Sequence, residues 1–149
     1  MSNIVIYTDG GCHGNPGPGG WGAVIIDGND VHQLSGGEKN TTNNRMELMA
    51  AIQSLKAVIS SENWKQAEVN VFSDSQYVKN GITSWIKNWK KNGWKTAAKK
   101  PVLNKDLWMQ LDELYNSLNV NWQWVKGHAG VTYNEMCDQL CQTEIAKYE

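Results

Sequence analysis

The order of apolar patterns along this 149-residue chain predicts an α/β fold, a mixed five-stranded sheet flanked by helices. Three short β-type segments come first, and helical patterns then alternate with two more β-type segments. No repeat, low-complexity tract or linker divides the sequence, and 149 residues with 40% apolar content suit a single core. We therefore expect residues 1–149 to form one domain.

The first three strands are predicted from short runs of β-branched and aromatic residues. They cover residues 3–9, 21–27 and 31–37, and a Gly-Asn-Asp turn joins the second to the third. Leucine and isoleucine at helical spacing then predict a helix over 43–59, with Thr42 or Asn43 as its N-cap. The remaining predicted elements are a strand over 67–74, a helix from Ser75, a helix over 103–118, a strand over 120–125 and a helix over 133–148.

Residues 85–100 form a basic segment, predicted as a short helix that ends in an Asn92-Gly93 turn, followed by a loop to Pro101. Between Ser75 and Lys105 there are eight lysines and neither Asp nor Glu, although the whole chain has a net charge of −1. The rest of the chain carries six basic and fifteen acidic residues. Such asymmetry points to a polyanionic partner such as nucleic acid.

The cellular location is predicted from what the sequence lacks. No apolar run approaches the ~18 residues of a membrane span, and no basic segment leads into an apolar signal segment at the N-terminus. We therefore expect a cytoplasmic protein, a compartment that suits the odd number of three cysteines. Cys137 and Cys141 lie one helical turn apart, but without a CxxC pair a zinc site is not favoured.

Four carboxylates occupy positions that call for an explanation. Asp9 and Asp74 each end a predicted strand, where ligands gather in sheet-based folds. Glu47 lies at the margin of the apolar stripe of the first helix, and Asp138 aligns with Cys141 on the side of the last helix expected to face inward. A carboxylate that faces a core is costly unless hydrogen bonds, a cation or a metal compensate it.

Each carboxylate alone has an ordinary explanation, as a turn residue, a helix-dipole partner, a cap or a surface group. Together they predict a metal site, because carboxylate oxygens suit Mg²⁺ or Mn²⁺ and not zinc. Two such ions about 3.5–4 Å apart clamp the attacking and leaving oxygens of a phosphodiester.

Glycine occupies six of the eleven positions from Gly10 to Gly20. The segment 17–22 matches GxGxxG, but a predicted strand follows it and not a helix, which argues against a dinucleotide site. We expect instead a loop whose backbone N–H groups allow a sugar–phosphate strand to approach closely.

Five collinear blocks of this sequence resemble ribonuclease H of the bacterial type 1 family, and the match covers nearly the whole chain. The blocks are YTDGGCHGNPGPGGWGA, TTNNRMELMAA, SDSQYVKNGI, WIKNWKKNGWKTAAKKPVLNKDLW and WVKGHAGVTYNEMCD. The resemblance implies a ribonuclease H-like fold in which residues 85–100 are a basic protrusion. It also implies a monomeric endonuclease that uses Mg²⁺, with Mn²⁺ as a substitute. Such an enzyme hydrolyses the RNA strand of RNA–DNA hybrids and leaves 5′-phosphate and 3′-hydroxyl ends.

The same resemblance assigns roles to individual residues. The metal-binding, catalytic carboxylates are Asp9, Glu47, Asp74 and Asp138, and the catalytic-loop histidine is His128. Contacts to the nucleic acid are assigned to Asn15, Thr42, Asn43, Asn44, Gln76, Trp85, Lys87, Lys90, Lys91, Trp94, Lys95, Lys99, Lys100 and Asn104. With a pKa near neutrality, the histidine would move a proton for the attacking water or during product departure. Gly11 and Ser73 depart from the serine and threonine that are frequent in the family, but neither is an assigned ligand.

Two other functions remain open on the sequence. One is a strand transferase or junction resolvase of the same fold, and the other is a hybrid-binding module without catalysis. The tryptophans of the basic protrusion are also open to two interpretations, because Trp85 and Trp89 lie one helical turn apart and suit core packing as well as stacking on sugars.

Overall fold

The computed structural model describes residues 3–125 and 132–149. They form one five-stranded sheet and the helices that pack on it. The strands are β1 (Asn3–Cys12), β2 (Gly17–Asp27), β3 (Asp30–Thr41), β4 (Glu68–Ser73) and β5 (Asn119–Trp124). Their order in the sheet is β3-β2-β1-β4-β5. β2 pairs antiparallel with both β1 and β3, whereas β4 pairs parallel with both β1 and β5. The predicted mixed sheet is confirmed.

The helices follow the predicted order. They are α1 (Asn43–Ile59), α2 (Gln76–Asn80), a π-helical turn (Gly81–Trp85), α3 (Ile86–Lys91), α4 (Lys105–Ser117) and α5 (Thr132–Ala146). Thr42 caps α1 by accepting a hydrogen bond from the Arg45 N–H at 3.2 Å, and Ser75 caps α2 through the Val78 N–H at 3.1 Å. Within the described ranges, none of these helices has the length and apolarity that crossing a membrane requires.

The helices cover both faces of the sheet. A Cβ built on Gly10 would lie 2.5 Å from the backbone N of Glu47 in α1, and one built on Gly11 would lie 3.3 Å from Sγ of Cys141 in α5. Because successive residues of a strand point to opposite faces, α1 and α5 lie on opposite sides of the sheet. The main core fills the α1 side and includes Ile4, Ile6, Leu48, Ile52, Leu55, Val69, Val71, Trp108 and Leu111.

The glycine-rich stretch is mostly strand, which corrects the expectation of an open loop. β1 runs on to Cys12 and β2 begins at Gly17, so only residues 13–16 connect them. The glycines are needed for packing: a Cβ on Gly22 would lie 2.6 Å from the carbonyl oxygen of Cys137. Helix α5 therefore rests directly on the strand backbone. As predicted, a strand and no dinucleotide-binding helix follows the GxGxxG match.

The basic protrusion begins in the helix that ends at Lys91 and turns at Gly93, where φ is +68°. The chain then returns as a loop, held by a hydrogen bond from the Val102 N–H to the Trp94 carbonyl at 3.1 Å. The predicted helix, turn and loop are confirmed, although α2, the π-helical turn and α3 follow one another without a break.

Candidate active site

Three of the four predicted carboxylates come together at one edge of the sheet. Asp9 lies in β1, Asp74 follows β4 directly, and Glu47 lies in α1. β1 and β4 are parallel neighbours, so their carboxyl ends meet at the same edge. One carboxylate oxygen from each residue lies within 4.8 Å of the other two. These three side chains form the acidic cluster.

The acidic cluster is shielded from water and carries like charges. Asp9 and Glu47 are only 6% and 8% exposed, and Asp74 is half-buried. Burial, together with the neighbouring charges of Asp9 and Asp74, raises the pKa of Glu47 from 4.5 to about 8. Hydrogen bonds from the Ser75 side chain and the Gly10 backbone oppose this rise in pKa. A cation among the three oxygens would relieve the repulsion, and an all-oxygen donor set suits a hard divalent ion.

Asp138 lies outside the acidic cluster. It is exposed, so the expectation that it faces inward is wrong. The buried stripe of α5 includes Cys141 as predicted, but it continues through Cys137 and Asn134 and not through Asp138. The helix that carries Asp138 nevertheless packs on the strand that carries Asp9, because Cys137 Sγ lies 3.2 Å from the carbonyl oxygen of Tyr7 in β1.

The two cysteines of α5 are inert thiols. Cys137 and Cys141 donate hydrogen bonds to the carbonyl oxygens of Tyr7 and Gly20 at 3.2 and 3.1 Å. Burial, with the charge of Asp9 as the next cause, raises the pKa of each thiol to about 12. His128, the predicted catalytic histidine, lies outside the described residues.

An open depression of about 410 Å³ lies in front of the acidic cluster. Asn43, Asn44 and Gln76 line it from the first turns of α1 and α2, and all three are exposed. Asn15 approaches from the β1–β2 connection, where its Oδ1 accepts a hydrogen bond from the Asn43 N–H at 2.9 Å. Thr42 caps the same helix. Three of the predicted amide contacts therefore line the depression with the carboxylates, and Asn15 and Thr42 adjoin them at the start of α1.

Sequence reasoning missed two residues of this depression. Ser75 lies at the predicted start of a helix, which it caps, but its hydroxyl also hydrogen-bonds to Glu47. Tyr77 lines the depression three residues after Asp74, and its hydroxyl accepts a hydrogen bond from Asn104 Nδ2 at 3.2 Å. The only signal in the sequence for Ser75 and Tyr77 is their position directly behind an acidic strand end.

The predicted lysine contacts differ in their surroundings. Lys90 Nζ lies 3.1 Å from Oδ2 of Asp112 in α4, so its charge is already paired. Lys87 lines a separate groove of about 760 Å³, together with Glu68. The others, Lys91, Lys95, Lys99 and Lys100, are exposed on the basic protrusion. A contact between these four lysines and nucleic acid stays a prediction.

The tryptophans of the basic protrusion pack against one another. The ring centroid of Trp85 lies 5.6 Å from that of Tyr77 and 5.7 Å from that of Trp89. The Trp94 ring lies 6.3 Å from the Trp89 ring, which also contacts Trp108 at 5.5 Å. The packing interpretation is confirmed for these rings, and a role for Trp85 and Trp94 in substrate contact stays a prediction.

Comparison with known proteins agrees with this site. The family model described as RNase H matches residues 1–146. A ribonuclease H from Rhodopseudomonas palustris (strain BisB5) is 55% identical over 148 residues, which cover 99% of this chain and 95% of the relative. One from Hydrogenovibrio crunogenus is 57% identical over 140 residues, which cover 94% and 93% of the two chains.

Solved structures show the same fold. LC9-RNase H1, described as a type 1 RNase H with the type 2 active-site motif, superposes with a TM-score of 0.85 at 30% identity. That match covers 100% of this chain and 74% of the other. LC11-RNase H1 in complex with an RNA/DNA hybrid gives a TM-score of 0.73 at 27% identity and covers 97% of each chain. Because the family model matches nearly the whole length of this chain, the chain belongs to the RNase H family.

Proposed function

We propose that this chain hydrolyses the RNA strand of RNA–DNA hybrids with two Mg²⁺ ions, for which Mn²⁺ substitutes, and leaves 5′-phosphate and 3′-hydroxyl ends. The observation that carries the proposal is the convergence of Asp9, Glu47 and Asp74 within 4.8 Å beside an open depression. Three neighbouring carboxylates, two of them buried, are costly unless cations bind between them.

The acidic cluster would hold the ions, and Asp138 is the fourth carboxylate that we assign to them. Ions held there would supply the activation of a water and the neutralisation of charge on the oxygen that leaves phosphorus. Because Asp9 and Glu47 are buried, these carboxylates are held in position before substrate arrives. We assign the transfer of a proton to or from the reacting groups to His128.

The residues around the depression supply recognition. The exposed amides of Asn15, Asn43, Asn44 and Gln76 offer both donors and acceptors to a ribose and its 2′-hydroxyl, the group that distinguishes RNA from DNA. The exposed lysines of the basic protrusion would bind phosphates of the DNA strand. LC11-RNase H1 was solved in complex with an RNA/DNA hybrid, and this likeness supports the same substrate class for the present chain.

A cleavage assay tests the proposal. With Mg²⁺ present, we expect cleavage of the RNA strand in a labelled hybrid and none in duplex DNA or duplex RNA, and EDTA should stop the reaction. Asp9→Asn should abolish turnover but retain hybrid binding, and the exposed Asp30→Asn should behave as the wild-type protein. Cleavage or joining of duplex DNA would favour a transferase or resolvase, and binding without cleavage would favour a non-catalytic module.

We also infer that the chain acts as a monomer in the cytoplasm. The three carboxylates of the acidic cluster come from one chain, so the site requires no second copy. Cys12, Cys137 and Cys141 are free, which suits a reducing compartment. Sedimentation of the active protein at its assay concentration tests the monomer, and a dimer under those conditions would contradict it.

A further inference from the structure

Arg45 in the first turn of α1 joins three parts of the chain. Its Nη2 lies 3.1 Å from Oδ2 of Asp106 and its Nη1 lies 3.4 Å from Oδ1, so the guanidinium meets this carboxylate with both nitrogens. Nη1 also lies 3.5 Å from Oδ1 of Asn104, and Nε lies 3.5 Å from Oε1 of Glu38. One side chain thus connects the end of β3, the start of α1 and the start of α4.

Asn104 is held by tertiary contacts and not by its own helix. It directly precedes α4 with a left-handed backbone at φ +59°, and its side chain does not cap the helix. Asn is a favoured cap residue, so the absence of this bond shows that its amide is engaged elsewhere. Oδ1 accepts from Arg45, and Nδ2 donates to the Tyr77 hydroxyl at 3.2 Å. These two contacts determine how the amide is oriented.

Tyr77 carries the connection to the acidic cluster. Its hydroxyl accepts a second hydrogen bond from Trp108 Nε1 at 3.0 Å, which fixes the oxygen between two donors. The same residue lines the depression in front of Asp9, Glu47 and Asp74. The hydroxyl therefore lies between the wall of the depression and Asn104, which follows the basic protrusion and precedes α4.

The loop of the basic protrusion is connected to Asn104 by backbone hydrogen bonds. The Val102 N–H donates to the Trp94 carbonyl at 3.1 Å, and the Lys105 N–H donates to the Val102 carbonyl at 3.0 Å. The loop that carries the exposed lysines thus ends in a hydrogen-bonded turn that contains Asn104. A shift of Asn104 would move this turn relative to the acidic cluster.

We propose that Arg45, Asn104 and Tyr77 form a relay that sets the position of the basic protrusion relative to the acidic cluster. Arg45 and Tyr77 are then positioning residues for hybrid binding, an inference that rests on the proposed function. A duplex that spans both regions must meet the lysines and the carboxylates in register. Loosening the relay weakens this fit but leaves the carboxylates intact, so KM changes and kcat does not.

Two conservative variants test the relay in hybrid-cleavage assays. Arg45→Lys keeps the positive charge but loses the forked geometry, and Tyr77→Phe removes only the hydroxyl. We expect each to raise KM on the order of tenfold with kcat unchanged within about twofold. Because both break the same relay, the double variant should raise KM little beyond either single variant.

Trp64→Phe is the matched control. It removes an indole hydrogen bond to Asp27 Oδ2 of 2.9 Å, and neither Trp64 nor Asp27 lines the depression. A KM that stays at the wild-type value in both relay variants would overturn the relay. So would a KM that rises equally in the Trp64→Phe control, or rises in the double variant by the product of the two single effects. If the wild-type protein itself fails to cleave hybrids, the proposed function fails instead.

Discussion

The acidic cluster and the basic protrusion are both charged, but the fold treats them in opposite ways. The carboxylates of Asp9 and Glu47 are buried and come from different elements that pack against one another. The lysines of the basic protrusion are mostly exposed and follow one another along a single segment. Burial makes the repulsion between the carboxylates strong, whereas water screens the repulsion between the lysines.

This difference separates two tasks. Preorganised carboxylates stabilise charge that develops during the reaction, so their removal should affect turnover. Exposed lysines attract phosphates by a salt-dependent and sequence-independent effect, so their removal should affect affinity. Four variants can break or sharpen this separation.

Asp9→Asn should have the largest effect. Because Asp9 is a buried member of the acidic cluster, the loss of its charge should lower kcat by about 10³-fold or more, equivalent to about 4 kcal/mol of activation free energy. Hybrid affinity, measured by fluorescence anisotropy, should stay within a few-fold of the wild-type value. A variant with normal kcat would show that the cluster does not perform the chemistry.

Glu47→Gln should stabilise the metal-free protein at alkaline pH. The pKa of Glu47 is raised from 4.5 to about 8, so the folded state holds a proton that the unfolded state has lost over this range. The contribution of Glu47 to stability therefore falls as pH rises from 4.5 to about 8 and is constant above it. Glutamine does not ionise, and we expect the variant to be more stable than wild type at pH 9, by at most about 5 kcal/mol if the whole shift is recovered.

Urea unfolding in EDTA between pH 5 and 9 measures this difference, with the exposed Glu113→Gln as control. A difference in the free energy of unfolding between variant and wild type that does not change with pH would show that burial and the neighbouring charges do not raise the pKa of the Glu47 carboxyl. Excess Mg²⁺ should reverse the order, because the ion stabilises only the wild-type carboxylate cluster.

Replacing Lys95 and Lys99 with Gln should weaken hybrid binding by about tenfold at low salt and leave kcat unchanged. If the wild-type protein neutralises four or five phosphates, log affinity falls with log salt at a slope of about −4, and losing two lysines brings the slope to about −2. Binding titrations at several salt concentrations measure this slope. A flat response in the wild-type protein would exclude the protrusion from substrate binding.

Lys90→Gln should have the smallest effect. Its ammonium already pairs with Asp112 at 3.1 Å, so the charge offered to a phosphate is partly compensated. We expect affinity within about twofold of the wild-type value and a salt slope that changes by less than ~1. A loss as large as that of Lys95→Gln alone would show that the pair with Asp112 opens on the substrate.

Local patterns were enough to predict most of the fold. The helix over 43–59 was predicted with its observed bounds, because apolar spacing and a cap residue are both local signals. The extent of β1 and β2 was underestimated, since the glycines between residues 10 and 20 look like loop residues until the packing of α5 is known. The family and the type of enzyme predicted from the five blocks are confirmed by the family match and its relatives.

The candidate site, like the fold, was predicted from the sequence in part. Carboxylates at strand ends are visible in the sequence because a period-two pattern stops on an acid, as it does at Asp74. The convergence of Asp9, Glu47 and Asp74 was predicted, but its geometry, three oxygens within 4.8 Å where two parallel strands end, is given only by the structure. The exposure of Asp138 was missed because a shift of one residue on a helix turns a side chain by about 100°.

The sequence by itself determined the order of elements, the type of donor and the sign of each charged region, since these depend on residue identity and local spacing. Only the tertiary structure decided which lysine forms an ion pair and which glycines contact a helix. It also decided how Arg45 and Tyr77 hold Asn104. Those contacts join residues far apart in the chain, and no periodic pattern encodes the distance between two side chains that meet only after the core has packed.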